Sequence, residues 1–367
     1  NGLVSVGVAG DGTLSIEGGG VTLLGVGRLV DGGDYGDTYN YAPPATDTLV
    51  DRPAAVSVTR LESGPLRGRL QVQARYDWPL GLLADGAARS ASTVPVEVAT
   101  TLELRAGEPF LRVALEFVNP ASDHRVRWHV PLPQPTDHSS AEGQFAVVDR
   151  GLTEEAGHGE VPTPTFPAHG FVNAAGMTVL LDHVTEYELI GGRELALTAL
   201  RSTGLISRNE NPYREDPAGP EVPVPGAQLL GPWRVGFALM PHAGSWERAG
   251  VLAASEAYHH PFLVAQGSGT GTGNESAPSQ GFRLDGDGVV LSSLRRRDDW
   301  LEARLVAQRS APTRATVAGS GPVAAARDVD LLGRTGAEIA IEPDGTLAID
   351  LGPWEIRTLQ IRFDRPS

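Results

Sequence analysis

Asp31-Gly-Gly-Asp-Tyr-Gly-Asp-Thr-Tyr-Asn-Tyr-Ala-Pro-Pro44 gathers three carboxylates, three phenol rings, an amide and three glycines into fourteen residues. Nothing in the stretch alternates like a strand or repeats like a helix, and two prolines close it, so it reads as a loop. Tyrosine beside Asp and Asn is the chemistry of sugar recognition: rings stack on C–H faces while carboxylates and amides bind hydroxyls. A glycine-rich connection whose tyrosines cap one end of a β-core explains the same composition, because a conspicuous loop is only probabilistically functional.

Other chemistry is harder to place. A retaining glycosidase needs two carboxyls about 5–5.5 Å apart. Glu62, Asp77, Glu97, Glu103 and Glu116 sit at polar strand positions and read as a solvated face, which leaves only the loop trio Asp31, Asp34 and Asp37. The nine histidines (His124, His129, His138, His158, His169, His183, His242, His259 and His260) include no His-Glu-x-x-His and no His-x-Asp. The loop acids lack the spacing of an EF-hand, so no metal ligand is assigned. There is no Gly-x-Ser-x-Gly, and Gly267-Ser-Gly-Thr-Gly-Thr-Gly273 has no strand-to-helix context for a phosphate. Arg201 and Arg208 flank a strand exit, where a guanidinium can fork onto hydroxyls or a carboxylate, or simply end the strand.

The elements around these residues are β-strands. The chain has 367 residues, is 41% hydrophobic, and carries 45 Gly and 28 Pro, the profile of a turn-rich β protein with material for sizeable cores. Leu3–Val8 and Thr13–Ile16 around Asp11-Gly12 read as a hairpin. Ala55–Leu61, Leu66–Trp78, Val94–Leu104 and Leu111–Asn119 alternate with a period of two, as strands of antiparallel sheets packed face to face do. Arg125–Val130, Phe145–Val148, Met177–Asp182, Glu186–Ile190, Glu194–Leu200 and Trp233–Met240 continue the pattern, and Ser245–His259 is the best helix candidate. Residues 266–280 are low-complexity and mark a linker between a large unit, 1–265, and a small β unit, 281–367. No α/β alternation is present, which excludes a Rossmann fold or a TIM barrel.

Charge and composition remove further classes. The formal net charge of −15 disfavours nucleic acid and anionic membrane as partners, and no apolar run reaches a membrane span. There is no Cys and no Lys, so a thiolate nucleophile, a disulfide, a Schiff-base lysine and a P-loop lysine are all excluded. The chain starts at Asn1 with no visible signal peptide, which suggests a processed or subcloned piece and a cytoplasmic setting.

The segment order resembles the C-terminal β-rich region of glycoside hydrolase family 38, the α-mannosidases, in its bacterial branch. Asp31–Pro44 is similar to that branch's Asp-Gly-Asp-x-Gly-Asp-x-Tyr-Asn-Tyr-Ser-Pro loop. Asn119–Arg127 resembles its Asn-x-x-x-Asp-His-Arg-Leu-Arg segment, and Leu200–Arg208 its Leu-Arg-Ser-Val-Gly-x-Leu-Ser-Arg patch. Ser140–Arg150, His242-Ala-Gly-Ser-Trp246 and Leu291–Arg297 also fit in order. The resemblance implies a large antiparallel β-supersandwich of the mutarotase and β-galactosidase kind, followed by a small β-sandwich. It implies a retaining glycoside hydrolase whose zinc site and Asp nucleophile lie in an N-terminal α/β domain that this chain lacks. The chain alone then carries no catalytic residue and no cofactor. It supplies one side of an α-mannoside pocket to its own N-terminal domain, within an enzyme that can assemble as a homo-oligomer. Carried over residue by residue, Tyr39, Asn40 and Tyr41 abut the sugar, Asp34 and Asp37 shape the loop, and Arg201 or Arg208 reaches substrate. His124 in Asp-His-Arg serves the fold, braced by Asp123 and Arg125. A stand-alone carbohydrate-binding module, a supersandwich epimerase or lyase, and a purely structural or oligomerisation unit remain alternatives.

Overall fold

The computed structural model describes residues 1–261, 263 and 281–364. They group into two compact units, 1–143 with 148–259 and 144–147 with 260–367. The expected linker at 266–280 lies outside the described residues. The all-β expectation is borne out, with several antiparallel sheets and few helical residues.

In the first unit a nine-stranded sheet runs in the spatial order Val147–Arg150, Ser139–Glu142, Phe171–Ala174, Met177–Leu181, Gly231–Pro241, Leu111–Asn119, Thr93–Arg105, Arg67–Pro79 and Ala55–Ser63. A five-stranded sheet runs Thr165–Pro167, Glu186–Ile190, Glu194–Ser202, His124–Pro131 and Arg28–Gly33. Their inner faces share one core. The Trp128 ring of the smaller sheet lies 4.8 Å from Phe237 of the larger one, and Val72, Val98, Leu115, Val126, Leu197 and Leu239 fill the space around them. The expected hairpin forms as Val4–Val8 and Leu14–Gly18, joined by a turn in which Asp11 Oδ1 accepts from the Thr13 amide (3.0 Å) and hydroxyl (2.7 Å).

The second unit stacks a three-stranded sheet (Arg283–Asp285, Thr313–Ala318, Leu347–Leu351) and a five-stranded one (Val289–Arg297, Trp300–Ala307, Ile356–Phe363, Val323–Val329, Thr335–Glu338). Ala303, Leu305, Leu359 and Ile361 of one meet Ala315, Val317, Leu347 and Ile349 of the other.

Four local expectations are corrected. The loop at 31–44 begins three residues late, because Asp31, Gly32 and Gly33 complete the strand Arg28–Gly33, paired with Val126, Arg125 and His124. Ala55–Ser63 does not bury one face. It is exposed almost throughout, since it ends the nine-stranded sheet and little packs over it. The helix runs only from Val251 to His259, because Gly250 takes a left-handed φ of 70° that interrupts any helix started at Ser245. Phe145 likewise has a φ of 65°, so its strand starts at Val147.

Strand register brings the site together. Gly33 and Ser202 both pair with His124, the central one of three adjacent strands. The segments beginning at Asp34 and Thr203 therefore leave the same end of one sheet on either side of that strand.

Burial separates core from edge in a measurable way. Phe237, with no exposed surface, is expected to cost about 3–5 kcal/mol of stability as Phe237→Ala. Val58 on the edge strand, 47% exposed, is expected to change stability by no more than about 0.5 kcal/mol as Val58→Thr. Urea unfolding of both variants checks the contrast.

Candidate functional site

The three aspartates of the opening stretch have no exposed surface. A buried carboxylate is tolerated when it is paired and hydrogen-bonded, and each of these meets an arginine. Asp31 accepts from Arg89 Nη2 at 2.5 Å and from His124 Nδ1 at 2.6 Å, while His124 Nε2 reaches Asn119 Oδ1 at 2.9 Å. His124 thus serves the fold as expected, but its partners are Asp31 and Asn119, not Asp123 and Arg125.

Asp34 accepts from Arg201 Nε at 2.6 Å and from the Gly36 amide at 2.8 Å. Burial pushes its carboxyl above the ordinary range, with Arg201 and the Gly36 amide pulling against that. Asp37 holds the tip of the loop. Its Oδ1 accepts from the Tyr39 and Asn40 amides, both at 3.0 Å, and its Oδ2 from the Arg208 amide at 2.7 Å and from Arg214 Nη2. Burial alone would raise this carboxyl, but Arg214 and the three amides outweigh it and hold it below its usual value.

Arg201 then ties the loop across its neck. Besides Asp34, its Nη2 donates to the Asn40 carbonyl at 2.5 Å and to the Asp37 carbonyl. This close approach needs Gly36, where an added Cβ would stand 2.0 Å from the Asn40 carbonyl oxygen. The 203–208 segment adds further clasps: Thr203 Oγ1 donates to the Gly36 carbonyl at 3.1 Å, and Thr38 donates to the Leu205 and Ile206 carbonyls at 3.1 and 2.7 Å.

The aromatic side is arranged as regularly. Guanidinium carbons lie over three tyrosine rings: Arg125 over Tyr41 at 3.4 Å, Arg208 over Tyr35 at 3.9 Å and Arg214 over Tyr39 at 5.8 Å. Burial pushes the Tyr41 phenol above its ordinary value. Tyr39 is 56% exposed, Tyr41 and Asn40 are half-buried, and Asn40 Oδ1 is fixed by Arg214 Nη1 at 2.6 Å.

The structure therefore brings Asp34, Asp37, Tyr39, Asn40, Tyr41, Arg201 and Arg208 into one assembly. It also adds Arg89 and Arg214, which sequence reasoning missed, and it gives ring contacts to Tyr35, read only as part of the loop, and to Arg125, read only as a brace for His124. Three buried acids call for three cations, which was a usable signal, but with 30 arginines in the chain nothing local says which three. The two arginines singled out differ in kind. Arg201 spends its donors on the loop, whereas Arg208 has no carboxylate partner among the described residues. Also among the described residues, no group of three or more His, Asp or Glu side chains is placed to hold a metal ion, and Asp31 with His124 is already closed by Arg89 and Asn119. No helix there is long and apolar enough to cross a membrane.

No family model matches the chain. A putative mannosylglycerate hydrolase of Halalkalibacterium halodurans is 27% identical over 217 residues, 57% of this chain but 22% of that protein. An α-mannosidase of Enterococcus faecalis superposes with a TM-score of 0.80 at 21% identity, over 99% of this chain and 42% of its own. A second structure from that organism, described as a glycosyl hydrolase family 38 protein, gives 0.80 at 20% identity over 99% and 43%. The fold is that of part of a family 38 glycoside hydrolase. The resemblance read from the sequence is borne out in the fold, and the chain spans less than half of each solved relative.

Two outcomes follow for the carboxylates. Asp37→Ala strands the buried Arg214 and is expected to cost about 3–5 kcal/mol, and Asp34→Ala, which leaves the half-buried Arg201 its two carbonyls, is expected to cost less, both read by denaturant unfolding. Because the folded pKa of Asp37 lies below its ordinary 3.8, its contribution is complete above that value and is lost as pH falls through the lower folded one. Asp34, raised in the folded state, works in the opposite sense. The Tm gap between the native chain and Asp37→Asn should therefore be widest near neutral pH and narrow below about pH 4.

Proposed function

We propose that this chain is the non-catalytic β-rich portion of an α-mannosidase-like retaining glycoside hydrolase, and that its Asp34–Ala42 loop forms one wall of the sugar pocket. The carrying observation is the superposition over 99% of this chain on 42% of an α-mannosidase. In this reading the larger remainder of such an enzyme supplies the nucleophile, the acid and base, and the zinc. Zinc polarises or positions substrate oxygens where it is bound, and among the described residues no group of three or more His, Asp or Glu side chains would hold it.

The chain's own residues have a defined task. Asp34, Asp37, Arg201 and Arg214 are consumed in ion pairs and fix the backbone. Tyr39 presents an exposed ring to a sugar C–H face. Asn40, its carbonyl held by Arg214, turns its amide donors outward to a hydroxyl. Arg208, held flat on Tyr35, is the guanidinium that meets substrate, and Arg201 is the one that positions it. Such positioning acts through orientation, where a displacement of an ångström changes rate strongly.

The chain alone is expected to release no 4-nitrophenol from 4-nitrophenyl α-mannoside. In the complete parent enzyme, Tyr39→Ala with Tyr41→Ala should lower kcat/KM by about 10–100-fold, a loss of roughly 1.4–2.7 kcal/mol of transition-state stabilisation. An unchanged rate in that double variant would remove the pocket role, and hydrolysis by the chain alone would remove the non-catalytic one.

A further inference from the structure

The second unit turns a group of arginines outward on its five-stranded sheet. Ala303, Leu305, Leu359 and Ile361 pack inward on the other sheet, so the residues alternating with them point away from it. Register sets Arg295 beside Glu302, Glu302 beside Gln360 and Gln360 beside Arg327. Arg297 and Trp300 pair in the row on one side of these, and Arg304 and Thr358 in the row on the other. Arg362 follows Gln360 by two residues on one strand and shares its face. Glu338 stands opposite Arg327 on the last strand of the sheet.

These arginines are held differently from the others in the unit. Arg283, Arg309, Arg314, Arg334 and Arg357 each meet an aspartate of their own. On the outward face, Arg295 (2.7 Å) and Arg297 (3.5 Å) share the buried Glu302. Arg304, Arg327 and Arg362 have no carboxylate partner among the described residues. Arg327 donates twice to Gln360 Oε1, at 2.9 and 2.7 Å, and Arg304 Nε donates to Thr358 Oγ1 at 3.2 Å. The guanidinium carbons of Arg327 and Arg362 lie over the Trp300 ring, 4.2 and 4.8 Å from its centroid. Neutral acceptors and a ring thus fix three cations in place without cancelling their charge. Packing does not call for this, since an outward face is served by neutral polar residues and like charges on neighbouring strands repel.

We propose that this face binds a short acidic oligosaccharide, with the carboxylates of successive uronate residues on Arg304, Arg327 and Arg362. Neighbouring strands lie about 4.8 Å apart and alternate residues of one strand about 6.6 Å apart, so the cations form a flat array roughly 15 Å across. A lone phosphate or sulfate reaches one or two of them, whereas a chain with a carboxylate on every unit meets several. The face presents donors and few acceptors, which serves a carboxylate and not a neutral polyol. Its one aromatic ring is taken up by two guanidiniums, which leaves a poor platform for the stacked bases of a single nucleic-acid strand. The inference does not depend on the pocket role of the Asp34–Ala42 loop.

The test is calorimetric titration of the chain with hexagalacturonate at about 20 mM salt, with thermal melts confirming that each variant is folded. Saturable binding is expected with a Kd on the order of 0.1 mM, weakened about tenfold when the salt is raised to about 0.5 M. The triple variant Arg304→Gln, Arg327→Gln and Arg362→Gln should weaken it about tenfold or more. Arg314→Gln, which removes an aspartate-paired arginine of the other sheet, should leave it unchanged, and so should Tyr39→Ala. No saturable binding by the native chain overturns the inference, as does binding indifferent to the triple variant. Equally tight binding of neutral mannohexaose or of inorganic phosphate overturns it too, and tighter binding of a single-stranded DNA of equal charge would assign the face to nucleic acid instead.

Discussion

Three carboxylates with no exposed surface, each matched to its own arginine, are the constraint on which the candidate site rests. Burying an unpaired carboxylate would cost more than the loop could return, so the 31–44 segment can close only when Arg89, Arg201 and Arg214 arrive from three separate parts of the chain. Two of the three, Arg201 and Arg214, come from across the strand His124–Pro131, on or after Glu194–Ser202, which makes the loop conditional on the sandwich. The guanidinium suits this task better than an ammonium, because its fork serves a carboxylate and two carbonyls at once, as Arg201 does with Asp34 and the carbonyls of Asp37 and Asn40.

The same arginines divide the labour with the tyrosines. The carboxylates are settled in the interior, and the groups left nearer the surface are the Tyr39 ring, the Asn40 amide and the Arg208 guanidinium. A surface of that kind is suited to polyols, since it carries planar faces and hydrogen-bond donors. The loop's own carboxylates are buried and paired, so it offers no exposed acid at its surface.

Much of the fold was legible because it depends on periodicity. Leu70, Val72, Ala74 and Tyr76 alternate with Arg69, Gln71, Gln73 and Arg75, and the apolar set does turn inward. The edge strand Ala55–Ser63 has a similar alternation yet buries almost nothing, because a pattern records which face could be covered and not whether anything covers it. The helix start was misplaced by six residues because Ser245 is a sound cap and the left-handed geometry of Gly250 leaves no mark in composition. At the site, the loop residues were visible as a cluster, but Arg89, Arg125 and Arg214 were not. Arg89 and Arg214 meet Asp31 and Asp37 at sequence separations of 58 and 177 residues, Arg125 meets the distant ring of Tyr41, and no local signal carries that.

The single Asp37 side chain accepts amides from both connecting segments, Tyr39 and Asn40 on one and Arg208 on the other. The Tyr39 and Asn40 bonds close a turn within one segment, whereas the Arg208 bond ties that turn to the other. The Arg208 amide hydrogen is therefore released to solvent only when the two segments part, while those of Tyr39 and Asn40 are released by distortion of the turn itself.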